Sequence, residues 1–383
     1  MTILHLADLH IGKIVNGFSM LDEQRHAARQ ILAYVRAEHP GAVLIAGDVY
    51  DRASPGTEAV RVFDDLLTDL SREDVPILIV AGNHDSAERL VYASRLLSDQ
   101  RIFLRGVPDG ALTPVTLTDE YGAVHFWLLP FIKPSSVRGL FGEAEPETYD
   151  DALAAVLDSA DIDYTARNVL VAHQFFTGEG VTPLRFESEL NPVGGLDAVN
   201  AARLAQFDYA ALGHLHGAQT VGAEHIRYAG SPIKYSLSEW RHAKSVTRVE
   251  LREKGARAIS ALPFTPLHDM REIKGRLDAL TAAGTALRAD AEDYLRVILT
   301  DEEELVDPMG KLRSVYPNIM SLDFENARTR VDVSGISAEP ESIERLSTCD
   351  LFSEFFLELS GVTMSEEQTQ LARELLEAAA VTE

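Results

Sequence analysis

Five short apolar runs in this chain each stop at a residue that can bind a metal ion or exchange a proton, and few folds satisfy that pattern. Ile3 to Ala7 leads into Asp8-Leu9-His10, Val43 to Ala46 into Gly47-Asp48, and Val75 to Ala81 into Gly82-Asn83-His84-Asp85. Asn168 to Ala172 ends in His173, and Tyr209 to Leu212 in Gly213-His214-Leu215-His216. Near-continuous apolar runs of this length read as strands buried on both faces, which is the mark of parallel pairing. Helical patterns separate the first three runs. One spans about Met20 to Ala37, with Leu21, Ala28, Ile31, Leu32 and Val35 on one face; the next spans Thr57 to Leu70, with Val60, Phe63, Leu66, Leu67 and Leu70. A further helix is expected from Ser86 to Leu97. This alternation implies an α/β fold, a parallel sheet with helices on its faces. The carboxyl ends of its strands then share one edge, where open sheets build their sites.

The later chain is less regular. Strands are expected at Val124 to Leu129, Arg227 to Gly230 and Ser245 to Leu251. The pattern loosens between Pro263 and Asp269, which places the end of the first domain at residue 268. Strands at Tyr294 to Leu299 and Ile319 to Phe324, with a helix at Pro308 to Val315, make 269–338 a small α+β unit. Residues 339–383 read as two helices. Leu351, Phe352, Phe355, Phe356 and Leu359 give the first an aromatic face, and Gly361 stops it. Ser365 and Gln368 form a capping box for the second, whose stripe is Leu371, Leu375 and Leu376.

Composition bounds the chemistry. The 383 residues carry 35 Lys and Arg against 60 Asp and Glu, a net charge of −25, which argues against a broadly basic nucleic-acid surface. Cys349 is the single cysteine, so neither an internal disulfide nor a thiolate cluster can form, which suits a reducing compartment. No apolar run reaches the roughly 18 residues of a membrane span. The expectation is a soluble, cytoplasmic protein with no membrane partner.

Taken singly, each polar strand end has an ordinary reading. Asp8 and Asp48 could cap turns, His173 could be a core histidine, and His214 and His216 could be a surface pair. Their coincidence at five strand ends points instead to a two-metal site. Neighbouring parallel strands lie about 4.8 Å apart, close enough for their ends to surround a pair of ions. Such a pair needs a carboxylate able to bridge it, and Asp48, from a central strand, is the expected bridge. Imidazole and oxygen donors without sulfur suit manganese, iron or zinc. His5, His26, His39, His125, His225, His242 and His268 have no such placement and read as structural.

These five motifs, in this order over the first 216 residues, resemble those of the calcineurin-like metallophosphoesterases. The set alone does not choose among phosphatases, nucleotidases, phosphodiesterases and nucleases. The string Tyr228-Ala229-Gly230-Ser231-Pro232-Ile233-Lys234-Tyr235-Ser236-Leu237-Ser238-Glu239 resembles the segment after the last metal motif in the SbcD family, which includes archaeal and eukaryotic double-strand-break repair nucleases. The resemblance covers essentially the whole chain.

It implies a metallophosphoesterase β-sandwich flanked by helices, with an α+β capping domain and C-terminal helices. It also implies two Mn²⁺ ions, one held by Asp8, His10, Asp48 and His216, the other by Asp48, Asn83, His173 and His214. His84 then acts on the phosphate, either as an acid or as a stabiliser of developing charge. Asp85 either orients His84 or caps the following helix, and Asp51 stands where some relatives place a histidine. The implied activity is DNA exonuclease and single-strand or hairpin endonuclease cleavage in repair, close to the nucleoid. The implied partners are DNA, an SbcC-like ATPase bound through 339–383, and a second copy of the chain meeting helices 57–70 and 86–97. Residues 339–383 carry 11 acidic and 2 basic residues, a net of −9, so DNA contacts fall to local cations such as Lys133, Arg138, Arg185, Lys234, Arg241 and Lys244.

Overall fold

In the computed structural model the chain forms two compact units, Met1–Arg271 and Glu272–Glu383. The structure describes residues 1–326 except 109, 142–144, 179–182, 186–188, 190–197 and 287–289. Beyond 326 it describes only 352, 353, 356, 357, 363–365 and 368–373.

Two six-stranded sheets build the first unit. One runs in the order Arg257–Pro263, Ser245–Leu251, Thr2–Leu6, Ala42–Ala46, Ile77–Val80, Ile102–Arg105. Its last four strands are mutually parallel, and Ser245–Leu251 joins Thr2–Leu6 antiparallel. The other runs Gln219–Val221, Ala223–Tyr228, Tyr209–Gly213, Arg167–His173, Gly122–Leu129, Pro114–Asp119, with its four central strands parallel. Along Gly122–Leu129 the side chains alternate between two cores. Val124, Phe126 and Leu128 join Leu44, Ala46, Leu78 and Val80 between the sheets. Trp127 and Leu129 face the other way, packing with Leu153 and Val156 of the Tyr149–Asp158 helix. This period-two division of one apolar run between two cores is what makes a sandwich of the sheets.

The polar strand ends therefore do not lie along a single sheet edge, as strand–helix alternation alone suggests. Asp8, Asp48 and Asn83 follow strands of the first sheet; His173 and His214 come from the second. Strand pairing is a long-range property, and the apolar runs look alike in either sheet.

The Leu21–Glu38 and Thr57–Ser71 helices form where expected, but their buried faces are turned from the predicted stripes: Ile31, Val35, Phe63, Leu66 and Leu70 are buried, together with Ala27, Ala59 and Val62, while Leu21, Ala28, Leu32 and Leu67 are half-buried and Val60 is exposed. The 86–97 stretch differs. It breaks into single turns, Ala87–Leu90 and Ser94–Leu97, because Ala93 between them takes a left-handed conformation, φ 60°. In the second unit, Met270–Gly275, Tyr294–Leu299 and Ile319–Phe324 form a three-stranded sheet over a core of Leu277, Leu295, Val297, Leu312 and Tyr316. Leu351, Phe355, Leu359, Gly361, Leu375 and Leu376 lie outside the described residues. The Ser365–Gln368 capping box is present: the Gln368 amide donates to Ser365 Oγ at 3.2 Å, and the Ser365 amide to Gln368 Oε1 at 2.9 Å. No helix among the described residues is long and apolar enough to cross a membrane.

Candidate metal centre

The loops that follow the first two parallel strands are zipped together before any side chain is considered. The amides of Asp8, His10 and Ile11 donate to the carbonyls of Gly47, Asp48 and Val49 at 3.1, 2.9 and 2.9 Å. To make these turns, Asp8, His10, Asp48 and His214 adopt positive φ of 53°, 40°, 48° and 111°. Asp and His tolerate this region better than most residues, but each such position stores on the order of 1 kcal/mol, a cost concentrated at functional sites. Two glycines let the backbones close in. A Cβ on Gly82 would lie 2.1 Å from Asp48 Oδ1, and one on Gly47, at φ 86°, would lie 2.2 Å from His173 Nδ1.

The side chains converge as follows. Asp48 Oδ1 accepts the His84 amide at 2.8 Å, while Oδ2 lies 3.6 Å from His10 Nε2 and 3.3 Å from His173 Nε2. The Nε2 atoms of His10 and His216 are 3.1 Å apart. Asn83 Oδ1 lies 3.0 Å from both His173 Nε2 and His214 Nδ1. The Asp8 carboxylate receives the His214 amide at 2.9 and 3.1 Å. Two donor groups result, His10–Asp48–His84 and Asp8–Asp48–His173, each with its ligand atoms within 4.8 Å of one another. Asp48 belongs to both. All seven expected ligands and His84 thus meet at one end of the sandwich, with Asp8, His10, Asp48, His173 and His216 buried, His214 half-buried and Asn83 exposed.

This donor set fits a pair of divalent cations. Burial pushes His10 far below the usual imidazole range, and burial together with the neighbouring His173 takes His214 to about 3. Both rings are therefore neutral at pH 7 and present lone pairs. Burial opposes ionisation of Asp48, but His173, His10 and His84 outweigh it and hold the carboxylate below its ordinary value. His10 Nδ1 is buried with no hydrogen-bond partner among the described residues. Burial lowers His173, but Asp48 and Asp8 outweigh it and raise the ring to about 9, so a cation here would take over the positive charge that this imidazolium gives the two buried carboxylates.

The outer ring nitrogens show what orients the histidines. His173 Nδ1 meets the Ala46 carbonyl at 2.8 Å, His216 Nδ1 meets Glu239 Oε1 at 3.1 Å, and His84 Nδ1 meets the Asp51 carbonyl at 2.9 Å. The His84 partner is thus Asp51, through its backbone, and not Asp85. The Asp51 side chain pairs with Lys13 at 2.8 Å. Asp85 accepts the amides of Gly82, Val49 and Tyr50 at 2.9, 3.1 and 2.9 Å, tying the second loop to the third. Burial and the charge of Asp48 push its carboxyl up to about 6.

Sequence reasoning missed an outer layer of residues. Gln24 donates to the His10 carbonyl at 2.7 Å and to Tyr235 at 3.0 Å; Tyr235 donates to the Leu9 carbonyl; and Lys244 bonds Glu239 at 2.6 Å. The available signals were a polar Gln24 on the buried stripe of the first helix and the distinctive Tyr-Ser…Ser-Glu string. Two of the expected DNA-contacting cations are engaged inside the protein: Lys234 with Asp269 at 2.7 Å, and Lys244 as above. Lys133, Arg138 and Arg241 are exposed, and Arg241 lies over the Trp240 ring at 4.4 Å. A cleft of about 280 Å³ opens beside His216, lined by Gly217, Gln219, Arg241 and His242. Among the histidines expected to be structural, His5 bonds Tyr209 at 2.8 Å in the core and His268 bonds Glu23 at 2.7 Å.

Comparison with known proteins agrees with this geometry. Residues 1–218 match the calcineurin-like phosphoesterase family, and residues 266–359 match a family described as the type 5 capsule protein repressor C-terminal domain. The chain is 32% identical to the D subunit of the nuclease SbcCD of Staphylococcus epidermidis over 84% of its own length and 85% of that protein. It is 28% identical to the D subunit of the nuclease SbcCD of Staphylococcus saprophyticus over 99% of its length and 98% of that protein. A solved structure similar to it is a dimetal phosphatase from Danio rerio, with 12% identity, 68% of this chain and 95% of that chain covered, and a TM-score of 0.38. Matched by one phosphoesterase family over its first 218 residues and by SbcCD D subunits over most of its length, the chain belongs to the SbcD family of calcineurin-like, metal-dependent phosphodiesterases.

Proposed function

We propose that this protein is a Mn²⁺-dependent DNA nuclease, a double-strand exonuclease and single-strand or hairpin endonuclease, acting in repair with an SbcC-type ATPase. The observation that carries the reading is the pair of donor groups sharing Asp48, in a chain similar over most of its length to SbcCD D subunits. One ion would be held by Asp8, His10, Asp48 and His216, the other by Asp48, Asn83, His173 and His214. Two divalent ions supply there the charge that lets a water-derived nucleophile approach an anionic phosphodiester.

The remaining work falls to the chain itself. One Asp48 oxygen is held by the His84 amide, which leaves the other turned toward His10 and His173, where it would serve the divalent cations. His84, held through Nδ1 by the Asp51 carbonyl, would turn Nε2 to the phosphate, as an acid for the departing oxygen or as a stabiliser of the developing charge. Arg241, exposed and lining the cleft at His216 with the half-buried Trp240 ring beneath it, offers a cation to a nucleic-acid strand.

A homodimer would use the Thr57–Ser71 helix and the 86–97 stretch, where Val60, Tyr92 and Leu96 stand 44, 83 and 73% exposed; large apolar side chains at such exposure favour a partner surface. The acidic 339–383 segment would bind the ATPase, consistent with a cytoplasmic, nucleoid-associated complex. The test is cleavage of linear duplex DNA with Mn²⁺, with and without the ATPase. Hydrolysis confined to mononucleotides or phosphomonoesters would remove the nuclease reading.

A further inference from the structure

We infer that Glu239, anchored by Lys244, is a positioning residue that makes the ion position of His10 and His216 the tighter of the two. The inference rests on the ligand set proposed above and adds an inequality between its halves.

The carboxylate of Glu239 is fully buried. One oxygen accepts His216 Nδ1 at 3.1 Å, which leaves His216 Nε2 as the lone pair facing His10. The other oxygen accepts Lys244 Nζ at 2.6 Å, and that ammonium also donates to Ser231 Oγ at 2.8 Å and to the His216 carbonyl at 2.9 Å. Packing alone does not call for this arrangement, because a buried ion pair pays a heavy desolvation cost that an apolar pair of the same volume avoids. What the charge does here is hold one imidazole in one tautomer and make it a stronger donor, as carboxylates behind metal-bound histidines do.

The same segment walls in the same half of the site. The Tyr235 ring stands edge-on to His10 at 5.5 Å and to His216 at 5.7 Å, and Gln24 ties Tyr235 to the His10 backbone. The opposite half is built differently. His173 Nδ1 has a neutral carbonyl, that of Ala46, at 2.8 Å, and Asp8 Oδ1 lies beyond hydrogen-bond reach at 3.8 Å. Asn83, a neutral donor, is exposed to solvent. One half therefore has a carboxylate hydrogen-bonded behind its histidine, and the other a backbone carbonyl in that place and one solvent-exposed ligand.

The test is equilibrium Mn²⁺ binding to the metal-free full-length chain, read by electron paramagnetic resonance of free Mn²⁺ and by metal content after dialysis. The wild type is expected to bind two ions of unequal affinity, and Asn83→Ala to keep the tighter one. Glu239→Gln retains a hydrogen-bond acceptor but loses the charge. It should weaken the tighter ion by about 10–100-fold, the usual effect of removing a supporting partner, and leave the weaker one within about twofold. Equal affinities in the wild type, or equal losses at both ions or none in Glu239→Gln, would overturn the inference. Fewer than two ions in the wild type would instead sink the ligand set itself. If Glu239→Gln does not fold, the double variant with Lys244→Met, which leaves no unpaired charge, is read the same way. Failure of both to fold would make the pair a structural staple and overturn the proposal.

Discussion

Replacing Gly82 with alanine tests whether the site depends on the close approach of two strand ends. The added methyl would lie 2.1 Å from Asp48 Oδ1 and 2.3 Å from the Asp48 amide nitrogen, where ordinary contact begins at 3.4 Å. One of the two loops must therefore move by about 1.3 Å, the difference between 3.4 and 2.1 Å. The neighbour is backbone and a carboxylate already committed to the His84 amide, so no flexible side-chain end can yield. Overpacking of this kind costs about 1–3 kcal/mol. A catalytic constellation tolerates about 0.5 Å, and a 1 Å misplacement costs about 100-fold in rate. The expected result is a folded protein with a modestly lower melting temperature. Its Mn²⁺-dependent hydrolysis of bis(p-nitrophenyl) phosphate should fall by 100-fold or more. Gly56→Ala, whose Cβ would meet nothing within 4 Å, is the control and should keep wild-type turnover. Wild-type turnover in Gly82→Ala would refute the reasoning, because it would mean that the Asp48 position is not needed to within an ångström.

Three further outcomes are expected. His84→Ala should lose about 100- to 10,000-fold in rate while keeping two bound Mn²⁺; loss of an ion would make His84 a ligand, which its place beside His10 and Asp48 allows. The side-chain hydrogen bond from Arg167 holds Asp119 well below the usual carboxylate range, so this pair stabilises the fold above about pH 4 and loses its effect as pH falls through the depressed value. Arg167→Met should then cost about 1–2 kcal/mol at pH 7 by denaturant melts, because Asp119 is part-buried and keeps the Met1 ammonium at 2.7 Å. The deficit should shrink toward pH 2; an equal deficit at both pH values would show that the pair is not the cause. Deleting 339–383 should preserve Mn²⁺-dependent cleavage of short DNA and abolish pull-down of the ATPase; retained pull-down would place that interface elsewhere.

Much of this centre was legible because buried parallel strands have little choice of residue. A run such as Ile77–Val80 must be apolar on both faces, so the first polar residues after it, Asn83 and His84, stand out. The partition of those runs between two sheets was not legible, since nothing local in the Arg167–His173 strand says that it pairs with Gly122–Leu129 rather than with Ala42–Ala46. Outer strands such as Pro114–Asp119 alternate only between exposed and half-buried positions, and so carry too weak a pattern to read. Lys244 looked like a DNA contact because charge alone cannot reveal a buried partner 2.6 Å away. Asp85 had two readings, and its actual place, gathering three backbone amides, depends on loops brought together only by the fold.

The central claim is a pair of ions bridged by Asp48. Anomalous diffraction at the manganese edge from crystals soaked in Mn²⁺ tests it most directly. Two peaks about 3.5–4 Å apart, with Asp48 between them and Asn83 and His216 on opposite sides, is the predicted result. A single peak, or two that Asp48 does not touch, would contradict the account.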